Sequence, residues 1–199
     1  MREETKTIKI YSYSELSEKA KEKVKQMFLE WKLENSDIFT KDCEENLKSL
    51  FPNSNLKVEY SLNYCQGAGL NIYGEIDIED ILEYLDFKDD EKEKIKNICV
   101  DSDYIVLHRN TSGYSYSVKF SEDAEYIINN LNSDYDNLSE NNRKLLKHFI
   151  EKSLNYTEKL DKYFEKDGYN FFYETNEEEV KEGCEDNGYE FTEDGNLYY

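Results

Sequence analysis

Acidic side chains outnumber basic ones by 45 to 25 in this 199-residue chain, and the net charge of −20 at pH 7 constrains its folding more than any other feature. Charges of one sign repel one another in a compact state. A mean hydropathy of −0.92 adds to the pull toward an unordered chain. The opposing force is aromatic: 18 Tyr, 10 Phe and one Trp are spread along the sequence, and large rings bury much apolar area per residue. The expectation is one folded acidic domain over residues 1–199, carrying a small C-terminal appendage over 170–199.

The same charge excludes some functions. A protein that reads nucleic acid directly neutralises phosphates with Lys and Arg, and an anionic membrane surface attracts basic segments; this chain is repelled by both. No run approaches the roughly 20 apolar residues of a membrane span, and no basic-then-apolar leader opens the sequence. The expected location is cytoplasmic. Cys43, Cys65, Cys99 and Cys184 form no Cys-x-x-Cys pair, which points to reduced thiols and away from a zinc site.

Periodicity yields an α+β reading. Thr5–Tyr13 alternates as a strand, with Ile8 and Ile10 on one face. Ser14 or Ser17 can cap a helix to about Leu33, where Ala20, Val24, Met27, Phe28 and Trp31 recur at helical spacing. A second helix runs from about Ser36 through Phe39, Cys43, Leu47 and Leu50 until Pro52 closes it. Val58–Tyr64 and Leu70–Ile76 flank a glycine turn at Cys65-Gln66-Gly67-Ala68-Gly69. Helices are expected near Ile78–Phe87, Asp89–Val100, Glu122–Leu131 and Ser139–Lys166. A second hairpin joins Tyr104–His108 to Tyr114–Phe120, and Asp194-Gly195 suggests a small terminal one. The architecture expected is an antiparallel sheet of hairpins with several helices packed on one face.

Catalytic signals are weak. His108 and His148 lack motif neighbours, and neither a nucleophile elbow nor a His-Glu-x-x-His pair is present. The glycines at 67, 69 and 74 enter a strand rather than a helix, so they build a turn and not a phosphate cradle. Asp101-Ser102-Asp103 has ligand chemistry for a divalent cation, but no stretch matches an EF-hand loop. The reading is therefore non-enzymatic, with no catalytic, metal or cofactor residues assigned.

The carboxylates speak collectively. Ten lie between Glu75 and Glu93 against Lys88 and Lys92, and ten between Glu174 and Asp194 against Lys181 alone. The helix near Ser17–Leu33 is balanced by Lys19, Lys21, Lys23, Lys25 and Lys32. Segregated charge makes a coherent field, far beyond the magnitude of ~2–8 that solubility asks of a small domain. B-DNA presents a phosphate about every 3.4 Å along each strand. Carboxylates at i and i+4 on a helix, such as Glu178–Glu182 or Glu75–Glu79 if helical, stand about 6 Å apart. The expected role is nucleic-acid mimicry that occupies a basic groove, with Glu177, Glu178, Glu182, Glu185, Asp86, Asp89 and Asp90 as partner-binding residues. Tyr73, Tyr84, Phe171, Phe172, Tyr173, Tyr189, Phe191, Tyr198 and Tyr199 are the candidate aromatic anchors. The alternatives are a non-mimic regulator or antitoxin-like partner using the Gly67/Gly69 hairpin or the aromatic surface, and a small enzyme using carboxylates and a divalent metal.

Four segments carry a family resemblance: Tyr13-Ser14-Glu15-Leu16-Ser17-Glu18-Lys19-Ala20-Lys21-Glu22-Lys23, Tyr60-Ser61-Leu62-Asn63-Tyr64-Cys65-Gln66-Gly67-Ala68-Gly69, Ser112-Gly113-Tyr114-Ser115-Tyr116, and Tyr189-Glu190-Phe191-Thr192-Glu193-Asp194-Gly195. Together they resemble uncharacterised small acidic proteins encoded by bacteriophages and prophages of low-GC Gram-positive bacteria. That family places an acidic residue where this chain has Ala68, and histidines where it has Ser115 and Ser117; both departures count against catalytic or metal chemistry in these hairpins. The resemblance implies a non-catalytic anti-defence protein of the anti-CRISPR or anti-restriction kind, working in the host cytoplasm. Its partner would be a basic nucleic-acid-binding protein such as a defence nuclease or effector complex.

Overall fold

Ser17 behaves as its sequence context demands: its hydroxyl accepts the amide of Ala20 at 3.3 Å and starts helix α1 (Glu18–Glu34). The computed structural model describes residues 7–63, 68–108 and 123–198. The chain forms two compact units, one from Met1–Ser36 with Tyr169–Tyr199 and the other from Asp37–Gly168. Seven helices and a three-stranded antiparallel sheet among the described residues make the fold α+β. No helix among them is long and apolar enough to cross a membrane.

In the larger unit, α2 (Ser36–Leu50) buries Phe39, Cys43 and Leu47, one residue per turn, and Phe51 and Pro52 follow its end. Strands β1 (Asn55–Ser61) and β2 (Gly69–Asp77) form a hairpin in register from Ser61↔Gly69 to Asn55↔Glu75. Strand β3 (Tyr104–Leu107) pairs with the other edge of β2 from Gly74↔Leu107 to Asp77↔Tyr104. Gly74 sits at φ +120, and a Cβ there would lie 2.2 Å from the Asn55 carbonyl oxygen, so only glycine lets β1 approach. Beyond the register of β3, the amide of Ile72 donates to the buried carboxylate of Asp161 at 2.9 Å. Asp161 belongs to the long helix α6 (Glu140–Tyr173). Asp77 caps α3 (Ile78–Tyr84) by accepting the amides of Glu79 and Asp80; α4 (Asp89–Ile98) and α5 (Asp123–Leu131) complete the unit. The turn at Cys65-Gln66-Gly67 and the hairpin expected over Asn110–Phe120 lie outside the described residues.

The smaller unit joins α1 to the last part of the chain: α7 (Glu177–Asp186), β4 (Glu190–Phe191) and β5 (Leu197–Tyr198). Its core contains Tyr13, Leu16, Val24, Val180, Cys184 and Phe191. The sequence reading of 170–199 as an appendage thus meets a unit to which both chain ends contribute. Two local expectations change here. The strand expected over Thr5–Tyr13 reduces, from Thr7 on, to one antiparallel bridge between Tyr11 and Phe191. The physical reason is length: β4 holds two residues before the chain turns through Thr192–Asn196, so among the described residues no strand lies alongside Ile8 and Ile10 to complete a ladder. Trp31, expected on the buried face of α1, is half exposed, while Lys32 is buried. The Lys32 ammonium has partners inside this unit, as the site geometry shows.

Candidate functional site

Helix α7 is held at both ends by local chemistry. Asn176 accepts the amide of Glu179 at 2.8 Å. At the other end, Gly188 (φ +62) donates to the carbonyl of Glu185 at 3.1 Å, and Tyr189 to that of Cys184 at 2.9 Å. This is a Schellman cap, which needs a left-handed residue where Gly188 stands. Val180 and Cys184, four apart, are buried on the inner face. Glu178, Glu182, Glu185 and Asp186 are exposed, and their spacings of four, three and one place them together on the opposite face. Glu178 and Glu182 lie about 6 Å apart along the axis, and Glu178 and Glu185 about 10 Å. Among the described residues no cation pairs with any of these four.

The flanks of α7 are neutralised from within the unit. Lys21 donates to Glu177 at 2.8 Å, and its hydrogen bond holds that carboxyl below the usual glutamate range. Lys32, nearly buried, pairs with Glu179 at 2.5 Å and also donates to the carbonyl of Glu174 at 3.3 Å. Burial pushes Glu179 up, but hydrogen bonds from Lys32 and Thr175 outweigh it and leave the carboxyl low. Of the four candidates on this helix, Glu177 is therefore engaged with α1, while Glu178, Glu182 and Glu185 form an unpaired ridge. Asp186 completes that ridge. It belongs to the acidic cluster of 174–194 but is not among the partner-binding residues expected from the sequence, although its position four residues after Glu182 carries the signal.

The C-terminal end of the ridge, Glu185 and Asp186, runs against the helix dipole. A helix C-terminus carries partial negative charge, so each acid in the last turn costs about 0.3–1 kcal/mol. The last turn of α7 has no basic residue. Like charges at i and i+4, as in Glu178–Glu182 and Glu182–Asp186, add a few tenths each.

The other acidic cluster belongs to the larger unit and is arranged differently. Asp86, Asp89 and Asp90 are exposed. Asp89, Asp90 and Glu91 fill the first turn of α4, where the dipole favours them, and Lys96 stands in the last turn. Asp90 pairs with Lys94 at 3.2 Å, Glu79 with Lys96 at 2.6 Å, and Glu91 accepts the amide of Lys88 at 3.0 Å. Asp80 is buried, accepting from the Asn53 amide, the Asn53 side chain and Ser54 Oγ at 2.8–2.9 Å. Glu75 lies in β2, so the helical Glu75–Glu79 pair does not form. Strand pairing with Val106 and Asn55 fixes it there instead.

The remaining candidates have structural surroundings. His108 packs against Tyr126 with ring centroids 5.0 Å apart, and His148 against Phe87 at 5.6 Å. Cys43, Cys99 and Cys184 are unbridged and buried. Burial pushes the first two thiols up to about 12 and the third to about 11, which disfavours the thiolate form at neutral pH. Asp101 accepts the amide of Ser133 at 2.5 Å. No group of three or more His, Cys, Asp or Glu among the described residues is arranged to hold a metal ion. Among the expected aromatic anchors, Phe172 and Phe191 are core residues, whereas Tyr84, Tyr189 and Tyr198 reach the surface; Tyr199 lies outside the described residues. Comparison with protein-family models, with curated proteins and with solved structures finds no match to this chain.

Proposed function

We propose that this chain is a non-catalytic binding protein whose α7 ridge enters a Lys/Arg-lined groove of a nucleic-acid-handling protein. In its fuller form, the reading is a phage- or prophage-encoded inhibitor of a host defence nuclease or effector complex. One observation carries it. Glu185 and Asp186 stand in the last turn of α7 against the dipole, and Glu178–Glu182 and Glu182–Asp186 set like charges four apart, with no ion pair to any of the four among the described residues. Sequences depart from local consistency mainly where function requires it. A cationic groove supplies the missing compensation, and carboxylates about 6 Å apart suit a surface built for phosphates. Association would be fast and salt-sensitive, as charge-steered encounters are.

The test is displacement. Labelled duplex DNA is bound to purified restriction and CRISPR effector nucleases from low-GC Gram-positive bacteria, and fluorescence anisotropy follows its release by this chain. At ~0.15 M salt, where longer-range fields are screened, the chain displaces DNA from its target. The variant Glu178→Lys/Glu182→Lys/Glu185→Lys loses that displacement, while Asp89→Lys/Asp90→Lys keeps it. If the ridge variant competes as well as its parent, or the parent displaces DNA from none of the nucleases, the reading falls.

A further inference from the structure

We infer that Asn187–Gly188 is a spontaneous deamidation site, held shut by the C-cap of α7, whose conversion to aspartate or isoaspartate opens that cap for good. The inference goes beyond the binding role proposed above and does not depend on it. Asparagine is a chemically labile residue, and it is most so before glycine, because a following side chain hinders attack by the next backbone nitrogen. Of the asparagines in this chain, Asn187 alone precedes glycine. Both residues are exposed, and the space beside Gly188 is open. The reaction needs only water. The Gly188 nitrogen loses its proton and attacks Asn187 Cγ; a C–N bond forms, the Cγ–Nδ2 bond breaks and ammonia leaves. Water then opens the cyclic imide at either carbonyl, leaving the carboxylate of an aspartate or of an isoaspartate.

The cap decides when this happens. Asn187 Nδ2 donates to the Gly183 carbonyl at 2.8 Å, and the Gly188 amide to that of Glu185 at 3.1 Å. With Asn187 at φ −93 and ψ −1, nucleophile and electrophile are both tied to the last turn of α7, and the ring closes only after both let go. Asn35, Asn53 and Asn132 precede serine, a larger obstacle than glycine, and their side-chain amides are held by Trp31, Asp80 and Ile98, with Asn132 buried. Conversion at Asn187 is one-way. A carboxylate cannot donate to the Gly183 carbonyl, and it adds an acid to a helix end whose dipole already opposes Glu185 and Asp186. Isoaspartate also inserts a methylene into the backbone ahead of Gly188, which takes the Gly188 and Tyr189 amides out of register with the Glu185 and Cys184 carbonyls.

The test follows the full chain in water enriched in heavy oxygen, at mildly alkaline pH, by peptide-mapping mass spectrometry. Heavy oxygen replaces nitrogen at Asn187 before it does so at any other asparagine, and both aspartate and isoaspartate are recovered. Urea, which removes the cap, speeds the conversion about tenfold or more, as release of two hydrogen bonds predicts. Gly188→Ala suppresses it in urea as well, where the cap plays no part. Asn187→Asp, which fixes one of the two products, raises hydrogen exchange at the Gly188 and Tyr189 amides several-fold. Faster conversion at another asparagine, equal rates with and without urea, undiminished conversion in Gly188→Ala, or parental protection of those two amides in Asn187→Asp overturns the inference. None of these readouts involves a partner, so failure of the DNA displacement leaves them untouched, and their failure leaves the ridge untouched.

Discussion

Helices α4 and α7 are each ten residues long and each open on three acidic residues, but they treat charge in opposite ways. In α4, four acids meet three lysines. The acids lead, Lys96 stands in the last turn, and Asp90–Lys94 forms an i,i+4 pair. Each choice lowers the helix's own energy. In α7, six acids meet Lys181 alone, and the acids persist into the C-terminal turn where the dipole opposes them. Acidity as such therefore carries little information. Where a carboxylate stands relative to a helix end and a lysine decides whether it stabilises its own helix or is left without an internal pairing.

The comparison breaks if α7 owes its position to its charges rather than to its inner face. Val180 is completely buried, so Val180→Asp should be the most damaging change, costing about 3–5 kcal/mol through an unpaired buried charge. The check is loss of hydrogen-exchange protection at the α7 amides. Lys32→Ala comes next. It removes the buried ammonium from Glu179 and the Glu174 carbonyl at about 1–2 kcal/mol, less than for a fully buried pair because Glu179 stays part-exposed. Lys32→Met, which keeps the apolar stem, should cost less, with urea denaturation of the two variants as the check.

Acid should weaken the same contact. Glu177 and Glu179 both titrate below the usual glutamate value of 4.5. A carboxyl with a lowered folded-state pKa contributes stability that is present above the unfolded value and lost as pH falls through the folded one. Protection of the α7 amides should therefore decline as pH drops below 4.5, and Lys21→Ala/Lys32→Met should flatten that decline. An unchanged acid profile in the double variant would show that these pairs do not anchor the helix.

Smaller effects sharpen the contrast further. Gly188→Ala meets no atom within 4 Å, so its cost, about 1 kcal/mol, is purely that of the left-handed backbone. Glu185→Lys should stabilise α7 by about 0.3–1 kcal/mol, while Lys96→Glu should destabilise α4 by a similar amount. Opposite signs in thermal denaturation would confirm that α4 is optimised for itself and α7 is not; equal signs would remove the basis for treating the ridge as special.

Much of this was readable from local pattern. The cap at Ser17, the one-per-turn burial of Phe39, Cys43 and Leu47, the β1–β2 hairpin and the terminal turn at Asp194-Gly195 all follow from spacing and turn chemistry, because each is settled within a few neighbouring residues. The acidic face of α7 was also legible, since four positions of a helix share a side wherever the helix lies. The exchange of Trp31 for Lys32 was not. Helical periodicity ranks the larger apolar side chain first, and it cannot register a carboxylate and a carbonyl that arrive from more than 140 residues away.

Composition and periodicity alone determined the α+β class, the positions of most helices, though not of α7, and the surplus of carboxylates, because these depend on side-chain chemistry and on distances along the chain. Tertiary structure decided which carboxylates are used up internally: Glu177 and Glu179 by α1, Asp80 by the loop before β1, Asp161 by an amide of β2. It likewise left Ile8 and Ile10, among the described residues, without a strand beside them. Both outcomes are matters of pairing between distant segments, and ion pairs and strand ladders form only where folding brings their two halves within hydrogen-bonding reach.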